Sequence, residues 1–264
     1  MHNGFEVVKG GLSREICDGL KKESLDIVEK FELPTHLSTF STKNDLDRNQ
    51  YFYDSYDKIS VFFEELAIRN GQLKFDKIKS VNKIGHALHS KNQVFREFSH
   101  SLEVKKLIRK FGFSEVDVVQ SMVIFKNSDF GGEVAAHQDQ TYLYSFPESI
   151  KGIWVPLEKS TKENGCLWAL PYGKEPLLKE VFTWKNKTPK TTKVHNVDWP
   201  EKDFIPIELD VGDVLLFDGL LPHKSHVNTS KKSRMAYVFH FKESKSEYSR
   251  DNWNYSKNLM RITL

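Results

Sequence analysis

The chain has 264 residues, with 39 Lys or Arg set against 36 Asp or Glu for a net charge of +3. Charges of both signs are dispersed along it, with no basic stripe interleaved with aromatics, which argues against a nucleic-acid partner. The N-terminal MHNGFEVVKG lacks the pattern of a secretory leader and no apolar run is long enough to span a bilayer, so a cytoplasmic protein without membrane attachment is expected.

Hydrophobic residues make up 39%, but 19 Phe, 9 Tyr and 5 Trp bury large areas each and make a sizeable core feasible. Cys17 and Cys166 form no C-x-x-C pattern and read as reduced core residues. From Ser13 to Phe31, Ile16, Leu20, Ile27 and Phe31 return at helical spacing behind a capping serine, which predicts an amphipathic helix. The hydroxyl-rich stretch from Ser38 to Gln50 reads as a flexible loop, either a lid or binding segment or plainly disordered. A second helix is expected from about Asp57, with Ile59, Phe62, Phe63 and Leu66 on one side and Asn70-Gly71 ending it. Ser80 to Leu88 is expected to be extended, with Lys83 and His86 as surface groups of a connecting segment. Val94 to Phe111 gives one or two helices with Phe95, Phe98, Leu102, Leu107, Ile108 and Phe111 apolar and Gly112 as the stop.

After Gly112 the texture changes to short apolar runs divided by turns, a β signature. Strands are expected over Val116 to Phe125, His137 to Tyr144, Lys151 to Leu157, Gly165 to Leu170, Ile205 to Leu209, Val214 to Phe217 and Met235 to Phe241. Helices first and strands afterwards point to a mainly β fold with flanking helices: one domain over 1–264, with helical support to about residue 112 and a β core over about 113–243. The segment Lys174 to Asp203, rich in Lys, Thr and Pro, reads as an insertion placed to cover the mouth of a barrel.

Chemistry concentrates at His137-Gln138-Asp139. In an extended segment a histidine and a carboxylate two apart project from one face and can share a metal ion. A third ligand comes from Pro222-His223-Lys224-Ser225-His226. Residues three apart in an extended segment face opposite ways, so either His223 or His226 serves, not both. Two histidines and a carboxylate leave half an octahedron open, as in non-haem Fe(II) oxygenases. Arg234 leads a run, Met235 to Phe241, that is apolar on both faces. A buried guanidinium needs a partner: either a carboxylate-bearing cosubstrate, held by two parallel hydrogen bonds, or an internal salt bridge.

Further motifs accompany these residues in order: Val81-Asn82-Lys83-Ile84-Gly85-His86-Ala87-Leu88, Val118-Val119-Gln120-Ser121-Met122, Gly131-Gly132-Glu133-Val134, Glu163-Asn164-Gly165-Cys166-Leu167-Trp168 and His223-Lys224-Ser225. Together they resemble the phytanoyl-CoA dioxygenase family of Fe(II)- and 2-oxoglutarate-dependent oxygenases, from the first helix to Trp253. The resemblance implies a double-stranded β-helix, or jelly roll. It implies iron held by His137, Asp139 and His223, and 2-oxoglutarate held by Arg234 and Ser225, with Lys83, Met122 and Trp154 lining its pocket. It also implies dioxygen as cosubstrate and a small-molecule prime substrate; no obligate protein partner is evident in the sequence. Family members that halogenate lack the carboxylate, so Asp139 implies hydroxylation. One departure is Pro171-Tyr172-Gly173-Lys174 where the family usually carries Pro-Gly-Ser-His, which bears on a loop and not on the ligands. The alternative function is a non-catalytic sensor of metal or 2-oxoglutarate on the same fold.

Overall fold

The computed structural model describes residues 1, 3–40, 48–128, 130–173 and 176–264. Its spine is the strand Arg234–Glu243, paired antiparallel with Glu115–Lys126 on one side and Lys151–Pro156 on the other. Successive strand side chains point to opposite faces, so Met235, Tyr237, Phe239 and Phe241 enter one apolar cluster while Ala236 and Val238 enter another. This is why the run is apolar throughout: both faces are covered. The sheet extends through Val214–Asp218 to Phe5–Val8 at one edge and through Val81–His86 to Ile59–Phe63 at the other, with Met260–Thr263 added beside Glu115–Lys126.

A second antiparallel sheet runs Ile205–Ile207, Leu167–Ala169, His223–Ser225, Val134–His137. Ala169 and Ile207 from this sheet pack with Trp154, Leu215 and Val238 from the first. The two layers form the double-stranded β-helix that the sequence leads one to expect. Helices cover the outer face of the larger sheet. Arg14–Lys30 begins where the Ser13 hydroxyl accepts from the Ile16 amide, and it buries Cys17, Leu20 and Val28. Gln93–Ser99 and Leu102–Arg109 are capped in the same way by Asn92 and Ser101, and Gly112, at φ +82°, ends the helical region.

Pairing along the spine slips once. His240 faces Gln120, Phe241 faces Val118, and Val119 is the extra residue. Such a bulge re-aims the strand beyond it. Val116 and Val118 therefore lie in the helix-side cluster, whereas Gln120, Met122 and Ile124 line an inner cavity.

Several expectations are corrected. The stretch read as a helix from Asp57 is the strand Ile59–Phe63. Val61 and Phe63 pack in the main core and Phe62 in a separate aromatic cluster, so burial on both faces erased the alternation that marks a strand. Asn70-Gly71 is not a helix stop but a two-residue hairpin turn, both residues at positive φ, joining Ile68–Arg69 to Gln72–Leu73. The first 112 residues thus supply strands as well as helical support. Leu102, counted on an apolar face, is exposed at the start of its helix. Lys83 and His86 are buried rather than at the surface, because their strand is internal to the sheet. The expected strand from His137 to Tyr144 stops at His137 and is followed by a helical turn, Asp139–Tyr142.

The insertion contains a hairpin, Glu180–Lys185 with Thr188–Lys193, whose Trp184 stacks on Tyr53 at 3.6 Å. Phe182 packs beside Phe52, Phe62 and Trp253, so this segment covers one wall of the cavity. Within the loop read from Ser38 to Gln50, residues 41–47 lie outside the described residues, as does Lys174. Among the described residues no helix is long and apolar enough to cross a membrane.

Candidate active site

A cavity of about 660 Å³ opens between the sheets, and all eight residues singled out in the sequence line it: Lys83, Met122, His137, Asp139, Trp154, His223, Ser225 and Arg234. His137 ends one strand and His223 begins its neighbour, and the two are register partners. Gln138 keeps extended backbone before the helical turn, so Asp139 returns to the face of His137 although it is not itself in a strand. The ligand atoms of His137, Asp139 and His223 lie within 4.8 Å of one another. His137 Nε2 is 3.5 Å and His223 Nε2 3.9 Å from Asp139 Oδ1.

The backs of both rings are tied down. His137 Nδ1 donates to the Ala135 carbonyl at 2.8 Å and His223 Nδ1 to the Leu221 carbonyl at 3.0 Å. A carbonyl only accepts, so each Nδ1 carries a proton and each ring turns Nε2 to the shared space. Burial, then the neighbouring His137, pushes His223 down to about 4, which keeps that ring neutral. Burial alone would raise the Asp139 carboxyl, but His240, His223 and His137 outweigh it and hold the group well below the usual carboxylate range. Three convergent ligand atoms, two ring nitrogens and one carboxylate oxygen, suit a divalent first-row metal. His226 takes no part: its ring sits edge-on to Trp168, 5.2 Å between centroids, and it does not line the cavity.

The other end of the cavity is prepared for an anion. Arg234 is 1% exposed; its Nε and Nη2 donate to the Gly165 carbonyl, while Nη1 has no partner among the described residues. The Ser225 hydroxyl, equally buried, is also unpartnered. Burial draws the guanidinium down to about 10, so it remains charged at neutral pH. Trp154 forms the wall beside it, its ring centroid 5.5 Å from the guanidinium carbon. Gly165, at φ +81°, makes this geometry possible, since a Cβ there would fall 2.4 Å from Lys126 Cδ. A carboxylate entering the cavity can satisfy Nη1 and the serine hydroxyl together, which an uncharged group cannot do as well.

The family model for phytanoyl-CoA dioxygenase matches residues 1–236. The chain belongs to the phytanoyl-CoA dioxygenase family. A phytanoyl-CoA dioxygenase of Arabidopsis thaliana is 38% identical over 95% of this chain and 89% of its own length. Phytanoyl-CoA dioxygenase domain-containing protein 1 of Danio rerio is 38% identical over 95% of this chain and 90% of its own. Among solved structures, SnoK, a non-haem α-ketoglutarate-dependent carbocyclase from nogalamycin biosynthesis, superposes with a TM-score of 0.66 at 15% identity, covering 99% of this chain and 93% of that one. The epimerase SnoN, crystallised with Fe3+, α-ketoglutarate and nogalamycin RO, gives 0.63 at 12% identity over 95% and 83%. At such identities the structures show a shared fold.

In this member of the phytanoyl-CoA dioxygenase family the cavity is also lined by a histidine that the sequence placed at the surface. His86, read as a surface residue, accepts at Nε2 from Lys83 Nζ at 3.1 Å, while its Nδ1 lies 2.7 Å from the Ser55 hydroxyl. Ser55 gives its proton to the Phe52 carbonyl, so it receives one from His86 Nδ1, which frees Nε2 for the lysine. Lys83 also lies 3.2 Å over the Phe40 ring. Burial, and secondarily Arg48, holds its amine well below the usual lysine range. Gln138, between the two ligand candidates, points the other way: its amide donates to the Leu177 and Leu220 carbonyls and accepts from the Lys179 amide, which stitches the insertion to the turn before His223.

Gly152 shows how closely the larger sheet is fitted behind the ligand candidates. It pairs with both Phe217 and His240, and a Cβ on it would lie 2.1 Å from the Phe217 ring. That ring packs 5.4 Å from His223 and 5.9 Å from His240 between centroids. Gly152→Ala is therefore expected to destabilise the protein by about 1–3 kcal/mol through overpacking, read as a melting temperature several degrees lower by calorimetry. An unchanged melting temperature would show that Phe217 moves aside freely.

Proposed function

We propose that the chain, acting as one catalytic domain, is an Fe(II)- and 2-oxoglutarate-dependent dioxygenase that hydroxylates a small-molecule substrate and releases succinate and CO2. The observation that carries this reading is one cavity holding both a convergent His137, Asp139 and His223 set and a buried cation with an unsatisfied N–H, Arg234. A hydrolase using a metal has no need of the second feature. His137, Asp139 and His223 would hold the iron, which when bound supplies the activation of dioxygen that couples decarboxylation of the oxoacid to oxidation of the substrate.

The chain's own groups then do the positioning. Arg234 and Ser225 bind the far carboxylate of 2-oxoglutarate, and the rigid sheet fixes its angle of approach to the metal end. Trp154 and Met122 wall the space between and exclude water. Lys83, held by His86 and Phe40, is a second donor facing the same space. Asp139, as a charged oxygen ligand, leaves no vacancy for a halide, which favours hydroxylation over halogenation.

The test uses the purified chain with Fe(II), oxygen and 2-oxoglutarate. Slow succinate formation is expected even without a prime substrate, together with tight 2-oxoglutarate binding under anaerobic conditions. Binding without any turnover, including in the presence of a broad metabolite panel, would favour a sensor. Neither binding nor turnover would refute the assignment altogether.

A further inference from the structure

The iron-site reading above leaves the back of Asp139 unassigned, and the structure places a histidine there. Asp139 Oδ1 is the oxygen near the two ligand histidines, while Oδ2 turns away and lies 2.8 Å from Nε2 of His240. That contact has the length of a hydrogen bond but poor alignment, so Oδ2 is buried without a well-directed donor. The carboxylate torsion is soft, and a small turn closes the bond. His240 is 2% exposed, and its Nδ1 lies 3.2 Å from the Gln120 amide nitrogen, its register partner across the sheet. An amide nitrogen only donates and a carboxylate only accepts. His240 therefore accepts at Nδ1 and carries its proton at Nε2, aimed at Asp139.

We propose that His240, oriented by Gln120, is a positioning residue that makes Asp139 a one-oxygen ligand. A carboxylate with both oxygens free can chelate a metal and use up a second coordination position. Holding Oδ2 on a donor leaves only Oδ1 for the ion and keeps three positions open, two for a chelating oxoacid and one for a further ligand. The proposal rests on the iron-site reading and adds to it a line of three side chains, Gln120, His240 and Asp139, from two neighbouring strands and the turn that follows a third.

The test is metal binding by the full-length apoprotein, followed with Mn(II) by electron paramagnetic resonance and with Co(II) by its visible spectrum, which reports coordination geometry. His240→Phe fills the same space without a donor. It is expected to weaken Mn(II) binding by about 10–100-fold, the usual cost of losing a ligand's supporting partner, and to alter the Co(II) spectrum. His240→Gln returns an N–H near the ring Nε2 position and is expected to restore most of the affinity and the spectrum. Wild-type or tighter affinity with an unchanged spectrum in His240→Phe would overturn the proposal, as would equal impairment in His240→Gln. Should His240→Phe fail to fold, Gln120→Leu carries the test: it leaves the ring but removes its orienting donor, and an unchanged Co(II) spectrum would count against the role. Absence of metal binding by the wild-type protein would overturn the iron-site reading and this proposal with it, whereas losses confined to other residues would overturn this proposal alone.

Discussion

Asp139→Ala is expected to lower iron-dependent succinate formation by roughly a hundredfold or more, a larger loss than the 10–100-fold that follows removal of a ligand's supporting partner. Fold and melting temperature are expected to persist. Asp139 opens a short helical turn through its backbone, which alanine preserves, and of its two carboxylate oxygens Oδ2 has no well-directed donor to lose. The comparison to make is succinate yield against circular-dichroism melting for wild type and variant. Unchanged turnover would show that the three ligand candidates are misassigned, however close they lie.

A second large effect is expected at the opposite end of the cavity. Arg234→Met is predicted to weaken 2-oxoglutarate binding by about 2–5 kcal/mol, the range for truncating one partner of a buried charge pair. The same change is expected to raise the stability of the cosubstrate-free protein by about 1 kcal/mol. The reason lies in the neighbourhood: Arg234 is the register partner of a second buried cation, Lys126, whose amine is held well below its usual range by burial and then by the Arg234 charge. Without a bound carboxylate, the buried guanidinium and the buried amine lie opposite each other across the sheet. Anaerobic titration calorimetry and thermal melting measure the two halves. Opposite signs for binding and stability identify an anion receptor; a loss of both identifies a merely structural arginine.

How much of this was legible in the sequence depended on the kind of signal. His137, Asp139 and His223 could be read because ligand chemistry is restricted to few residue types and two of the three sit two apart. Arg234 could be read because a charge leading an apolar run is costly unless something answers it. His240 gave no such sign. A lone histidine in an apolar strand looks like any hydrogen-bonded core group, and its partner Gln120 is 120 residues away, brought opposite only by sheet register. Ile59–Phe63 was misread as helix for a related reason: with both faces covered, the period-two pattern vanishes and chance helical spacing remains. Asn70-Gly71 fits a helix end and a hairpin turn equally well until the flanking pairing is known. What the sequence hides, in each case, is which distant segment lies alongside.

The extra residue at Val119 has a consequence for how the site is encoded. It acts as a phase marker, comparable to a reading frame: even-numbered residues before it are addressed to the helices and even-numbered residues after it to the chemistry. Deleting that one valine would close the bulge and leave His240 opposite Gln120 and Phe241 opposite Val118, whereas removing a residue on either side of it would slip one of the two registers and turn that stretch's side chains to the other face. Val119 itself packs in a satellite cluster with Leu143, Ile150 and Tyr248, so the one residue that the ladder leaves unpaired is held by a separate patch of core, away from the reaction centre.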